Sequence, residues 1–244
     1  MNIGYQKIIF VIMIVLVVFV GINMSNVYAG SDRIYSVTVE NLTDGQPFSP
    51  VLAATHHRNI SMFTVGDLAS GGLEAIAEDG NSSPMFNRFF LSGLVTRVLD
   101  VGVPLTPSGT EVGDFTDSVT FTILAHPEDK FTMAAMLICT NDGFLGLDRV
   151  DLPQKGDLVY WLNGYDAGTE MNTEMSEDIV DPCSALGPFA LSGDPNGNED
   201  IAVDMVPHQP IQLHPTNIAG SGDLSMSDHG WTDPVAKVTI TRME

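Results

Sequence analysis

Basic residues are scarce in this sequence. Lysine and arginine together number 10 against 31 aspartate and glutamate residues, which gives the 244-residue chain a formal net charge of −21. A surface this acidic repels the phosphate backbone of nucleic acids, so we exclude nucleic-acid binding. Anionic membranes are disfavoured for the same reason, unless a divalent cation bridges the two surfaces. Most of these carboxylates need no binding role, because a strong net charge by itself keeps an exported protein soluble.

Motifs of catalysis are also missing. The chain has no Gly-x-Ser-x-Gly nucleophile elbow, no glycine-rich phosphate loop and no His-Glu-x-x-His metal motif. The alternative in the enzyme class is a metal-dependent hydrolase that uses histidines, and the candidates are His56, His57, His208 and His214. A metalloenzyme needs about three placed ligands and a general base. No spacing here supplies them, so we predict a binding protein and not an enzyme.

Cysteine is nearly absent. Cys139 and Cys183 are the two present, too few for a disulfide framework, and a chain of this length can bury enough apolar surface without one. Export would allow these two to form a bridge. The sequence does not decide whether they form a disulfide or stay as two unpaired thiols, because that depends on the distance and orientation of the two residues in the fold.

One long hydrophobic run occurs, and it lies at the N-terminus. Lys7 precedes an apolar core at 8–20, and Val27-Tyr28-Ala29 has the small-residue pattern of a cleavage site. The pattern predicts a signal peptide at 1–29 and a mature domain at 30–244, with an uncleaved anchor as the alternative. We therefore expect a secreted, periplasmic or cell-surface protein without stable membrane insertion after the signal is removed.

Strand patterns dominate the mature chain. Tyr35, Val37 and Val39 alternate with polar residues, which is typical of a half-buried strand. Similar alternation, or a short apolar run, predicts strands near 34–40, 119–123, 133–139, 144–150, 158–162, 211–214 and 234–242. Helical spacing predicts two short helices between 67 and 90, the second with Pro84 in its first turn. About eight strands with one or two inserted helices favour an all-β, antiparallel β-sandwich.

Two acidic turns follow predicted strands. Asp142 comes after the apolar run 133–139, and Asp166 after 158–162, so both can reach one end of a sheet. Carboxylates gathered there repel one another unless a cation lies between them. Oxygen ligands suit a hard ion, so we predict a site for Ca²⁺ or another divalent cation with Asp142 and Asp166 as ligands.

Several stretches together resemble the spondin amino-terminal domain of F-spondin, mindin and small exported bacterial proteins. The matching segments are Tyr35-Ser-Val-Thr-Val39, Ser61-Met-Phe63, Ala69-Ser-Gly-Gly-Leu73, Ala77-Glu-Asp-Gly80, Asn141-Asp-Gly-Phe-Leu-Gly-Leu-Asp148, Tyr165-Asp-Ala-Gly-Thr-Glu170 and Pro234-Val-Ala-Lys-Val-Thr-Ile-Thr-Arg242. These segments occur in the same order as in the family and cover nearly the whole mature chain. The segment most specific for the family is Asp-Ala-Gly-Thr followed by an acidic residue.

This resemblance implies a sandwich similar to C2 domains, an ion such as Ca²⁺ at one tip and a role in adhesion. Asp142 and Asp166 match acidic ligands of the family. Animal members take a further acidic ligand from the strand that here carries Thr120 and Thr122. The resemblance therefore implies that Glu170 or water fills that place, or that the site binds its ion more weakly. The partner expected is an extracellular protein or glycan. The resemblance does not imply an animal matrix role, because this sequence contains no thrombospondin-type repeats.

Overall fold

The computed structural model describes residues 31–186, 201–215 and 222–243. The predicted signal peptide at 1–29 lies outside these described residues. Over the ranges described, no helix is both long and apolar enough to cross a membrane.

Strands make up most of the secondary structure in the described ranges. The strands are β1 (Arg33–Asn41), β2 (Leu52–His56), β3 (Val95–Asp100), β4 (Ser118–Ala125), β5 (Lys130–Met136), β6 (Gly143–Asp151), β7 (Asp157–Leu162), β8 (Gly164–Asp166), β9 (Gln212–Leu213) and β10 (Ala236–Arg242). The helices are α1 (Gly71–Asp79), α2 (Ser83–Phe90) and α3 (Pro182–Leu186), with a 3₁₀ turn at Ser176–Asp178.

The strands form two antiparallel sheets. One has four strands in the order β4-β1-β10-β7, and the other has six in the order β3-β2-β5-β6-β8-β9. The predicted all-β, antiparallel sandwich is therefore confirmed. The described residues form ten strands where about eight were predicted.

The four-stranded sheet follows the predicted alternation closely. Tyr35, Val37 and Val39 of β1 are buried, and Val37 lies opposite Ile240 of β10 and Phe121 of β4. The buried side chains of these strands lie on one face of the sheet, which packs on the six-stranded sheet. Alternate residues of each strand therefore contribute to the core between the two layers.

Strand β5 lies between β2 and β6, and it is covered on both faces. The inner face packs into the core, while the outer face is covered by the two helices, which bury Leu73, Ile76, Met85 and Phe89. This double cover explains why β5 is continuously apolar and does not alternate.

The two helices were predicted, and the structure confirms them. Helix α1 begins at Gly71, within the predicted range 67–90, and the Leu68 side chain before it is exposed. It ends at Gly80, which has a φ of +63° and donates its N–H to the carbonyl of Ile76 at 3.0 Å. Only glycine adopts this left-handed conformation readily, so Gly80 terminates the helix.

Strands β7 and β8 differ from the prediction. The run at 158–162 was expected to lead directly into Asp166. Instead β7 is an edge of the four-stranded sheet, and the chain crosses to the other sheet at Asn163. Asp166 ends the separate three-residue strand β8, which pairs with β6.

Candidate metal centre

Strands β6 and β8 bring the two acidic turns together. Gly143, the first residue of β6, lies opposite Asp166 in the β6–β8 register, and the Ala167 N–H donates to the carbonyl of Asp142 at 3.1 Å. Asp142 and Asp166 are therefore neighbours at the same end of the six-stranded sheet, as the turn spacing predicted. Both side chains are buried, at 0% and 3% exposure. We call this end of the sheet, with Asp142, Asp166 and Thr169, the acidic tip.

The Asp142 carboxylate has one satisfied and one unsatisfied oxygen. Its Oδ2 accepts hydrogen bonds from the backbone N–H groups of Thr169 at 2.7 Å and Glu170 at 3.1 Å. Its Oδ1 is buried and has no hydrogen-bond partner among the described residues. A buried polar atom left unpaired costs roughly 1–3 kcal/mol, and more when the group is charged. Oδ1 therefore marks the point at which a cation would be stabilised.

Asp166 is held in a fixed orientation. Its Oδ1 accepts a hydrogen bond from the Gly168 N–H at 2.7 Å, and its Oδ2 accepts one from Asn172 Nδ2 at 2.8 Å. Gly168 has a φ of +73°, and a Cβ there would lie 2.3 Å from the carbonyl oxygen of Gln209. The glycine of the Asp-Ala-Gly-Thr motif is therefore required by the turn that positions Asp166.

The electrostatics of the acidic tip favour a cation. Burial, and then the negative charge of Asp166, raises the pKa of Asp142 to about 6, although N–H groups of Glu170 and Thr169 act in the opposite direction. Glu78 of α1 also faces this region. Burial raises the pKa of Glu78 to about 7, with further contributions from Glu74, Asp79 and Asp142. Repulsion between these carboxylates would be relieved by a bound cation.

Glu170 is placed differently from the other two predicted ligands. It is buried, and its N–H bonds to Asp142, but its Oε1 accepts a hydrogen bond from the Val203 N–H at 3.2 Å. Over the described ranges, acidic groups of the tip do not bring three ligand atoms within 4.8 Å of one another. The role of Glu170 as a third ligand stays a prediction.

Cys139 and Cys183 form a disulfide, which settles the question left open by the sequence. The bridge spans 44 residues, with 5.0 Å between the Cα atoms. It fastens α3 close to the acidic tip, because Cys139 lies three residues before Asp142. His229 lies within 4.8 Å of both sulfurs, but the sulfurs are bonded to each other and are not thiolate ligands.

The histidines of the hydrolase alternative are not gathered into a site. His56 is buried against Phe89, whereas the neighbouring His57 is exposed. None of the four candidate histidines belongs to a group of three or more ionisable ligands within the described residues. The geometry of the described residues therefore gives no support to a hydrolytic metal centre.

Oxygen atoms dominate the acidic tip, which fits the hard divalent cation implied by the resemblance. Asp142 would supply the unpartnered Oδ1, and Asp166 would supply an oxygen already oriented by Gly168 and Asn172. A hard cation would neutralise both carboxylates and hold β6 against the turn after β8.

The raised pKa of Asp142 has a consequence for stability in the ion-free protein. A folded-state pKa of about 6, against an ordinary value of 3.8, means that protonation favours folding. This contribution is complete below pH 3.8 and is lost as the pH rises through 6. It corresponds to roughly 3 kcal/mol.

Unfolding in urea with EDTA at pH 4 to 7 tests this expectation. Wild type should lose stability relative to Asp142→Asn as the pH rises, because the variant has no carboxyl at this position to titrate. A constant difference between the two proteins across this range would contradict it.

Comparison with known proteins supports the resemblance. The family model described as Spondin_N matches residues 40–181, a range that contains the acidic tip and both predicted helices. No curated protein matches the chain. Because the family match covers more than half of the sequence, the chain belongs to the spondin amino-terminal domain family.

Proposed function

We propose that this protein is an exported, calcium-stabilised β-sandwich that acts as an adhesion or surface-binding module. The family match and the two-sheet fold support an extracellular β-sandwich module. The calcium site is supported chiefly by one observation, the buried Oδ1 of Asp142 without a hydrogen-bond partner. The hydrolase alternative has no support in the geometry.

Burial of the acidic tip bears on what the ion would do. Asp142, Asp166 and Glu170 are at most 5% exposed. A partner therefore has no direct access to their carboxylates, and the ion would not bridge two molecules. We infer that it stabilises the loops of the tip, while the surface of the folded module contacts an extracellular protein or glycan.

Calcium should raise the thermal stability of the purified protein. A ligand that binds only the folded state adds about 2.7 kcal/mol of stability at 100 times its Kd. In a domain of this size, we expect the melting temperature to rise by roughly 5 to 10 °C over the value in EDTA. Differential scanning calorimetry in EDTA and in saturating Ca²⁺ measures the shift.

Two variants make this experiment specific. Asp166→Asn should lose most of the Ca²⁺ shift, because it removes one of the two adjacent charges while an amide oxygen can still accept the Gly168 N–H. His208→Ala should keep the full shift, since His208 belongs to no ligand group found in the described residues. An unchanged melting temperature of wild type at saturating Ca²⁺, or a full shift in Asp166→Asn, would refute the proposed site.

A further inference from the structure

Three buried histidines have an Nε2 atom without a hydrogen-bond partner in the described part of the chain: His56, His214 and His229. Their Nδ1 atoms distinguish them. Nδ1 of His229 accepts a hydrogen bond from the Ser225 N–H at 3.1 Å, so its Nε2 carries the proton. Nδ1 of His56 and of His214 each lies 2.9 Å from a backbone carbonyl oxygen. A carbonyl oxygen can only accept a hydrogen bond, so Nδ1 of each of these two rings carries the proton. In a neutral ring Nε2 is then unprotonated, and its lone pair is available to a ligand.

The surroundings of His56 and His214 differ. His56 is fully buried and packs edge-on against Phe89, with ring centroids 6.1 Å apart. His214 packs against Trp231, with ring centroids 4.9 Å apart, and it also lines a cavity of about 20 Å³ that it shares with Asn141, Asn172 and Glu174. We call this space the His214 cavity. Its volume is enough for one water molecule or one ion.

The His214 cavity lies in a strongly negative region. Asp166, Asp233 and Glu174 all act on His214 electrostatically, yet burial is the larger influence and lowers the pKa of its imidazole. The ring is therefore neutral near pH 7 and available as a ligand. Its Nδ1–H bond to the Pro215 carbonyl fixes the ring orientation, as the second nitrogen of a metal-bound histidine usually does.

Glu174 is held in an unusual conformation beside the cavity. It is buried and has a φ of +60°, which is uncommon for a residue other than glycine. Its N–H donates to Asn141 Oδ1 at 3.3 Å, and its carbonyl accepts the Asp223 N–H at 2.7 Å. Backbone strain of this kind persists only where the surrounding structure enforces it.

We propose that the His214 cavity binds a divalent first-row transition cation such as Zn²⁺, with His214 Nε2 and the Glu174 carboxylate as its principal ligands. Asn141 and Asn172 line the same space, and their amide oxygens would complete the coordination. Imidazole suits Zn²⁺, whereas Ca²⁺ takes oxygen ligands almost exclusively. This site is separate from the acidic tip and does not rest on the proposed calcium function. Asn172 contacts both sites: it lines the His214 cavity, and its Nδ2 donates a hydrogen bond to Asp166 of the acidic tip.

Zinc titration of protein saturated with Ca²⁺ tests this inference. Isothermal calorimetry and elemental analysis after dialysis should show one Zn²⁺ per chain. His214→Ala and Glu174→Gln should each weaken Zn²⁺ binding about tenfold or more, whereas His56→Ala should bind as wild type does. His56→Ala is the matched control, because it removes a buried imidazole whose Nε2 also lacks a hydrogen-bond partner in the described residues but which does not line the His214 cavity. In ¹⁵N-histidine spectra, Zn²⁺ should shift the Nε2 resonance that is lost in His214→Ala.

Several outcomes would overturn the zinc site. The first is no Zn²⁺ uptake by wild type, in which case the cavity holds a water molecule only. The others are unchanged affinity in Glu174→Gln or His214→Ala, and an equal loss in His56→Ala. These results are independent of the calcium experiment. A protein that gains stability with Ca²⁺ but takes up no Zn²⁺ refutes this inference alone, and the reverse result refutes only the calcium site.

Discussion

Asp142→Asn is expected to stabilise the ion-free protein while it removes the response to Ca²⁺. The amide keeps an oxygen that can accept the N–H groups of Thr169 and Glu170, so the turn is preserved. The substitution removes a fully buried negative charge beside Asp166. At pH 7 in EDTA we expect a gain of about 1–2 kcal/mol, smaller than the full cost of that charge because the new NH₂ group also needs a partner.

Asp148→Asn is the matched control, because Asp148 lies in strand β6, which begins directly after Asp142. Its carboxylate is fully engaged: it accepts hydrogen bonds from Ser61, Met62 and Thr132, and it forms an ion pair with Arg149. This variant should lose stability and keep the Ca²⁺ response. Urea unfolding with EDTA and with Ca²⁺ measures both proteins. If Asp142→Asn were destabilised in EDTA as Asp148→Asn is, the Asp142 carboxylate would not be a site that needs a cation.

The strand pattern predicted the sandwich but not which sheet each strand joins. Alternation in β1, β4 and β10 reports that one face of a strand is buried, and that face was correctly identified. The segment 95–100 was not predicted, because partly buried residues on both faces of edge strand β3 leave no alternation. Nothing in the run at 158–162 indicates that the chain changes sheet at Asn163.

Turn spacing predicted the two residues at the centre of the acidic tip. Asp142 and Asp166 could be predicted because each follows a strand, and strands that pair place their ends together. Glu78 and His214 could not, because packing of α1 against the sheet and pairing of β9 with β8 bring them near. The carboxylate of Glu170 accepts a hydrogen bond from the Val203 N–H, and no local sequence pattern predicts this contact.

Removal of the disulfide should have the largest effect on stability. Replacement of both Cys139 and Cys183 by alanine frees a loop of 44 residues, and the chain-entropy relation gives a loss of about 4 kcal/mol. Both cysteines are completely buried, so some packing is lost as well. We expect a lower urea midpoint, and wild type reduced by a phosphine should behave in the same way. A change of less than about 1 kcal/mol would show that the bridge adds little to the folded state.

The same double variant should also bind Ca²⁺ more weakly. The part of the closed loop that follows Glu170 covers the acidic tip: Asn141 Nδ2 donates to Thr173 Oγ1 at 3.3 Å, and Asn172 Nδ2 donates to Asp166 Oδ2 at 2.8 Å. Once this loop is free, ordering it becomes part of the cost of binding the ion. Calorimetric titration at a temperature where the variant is folded separates the two effects. An unchanged Kd would mean that β6 and β8 alone define the site, whereas a weaker Kd would show that the loop beyond Glu170 is part of it.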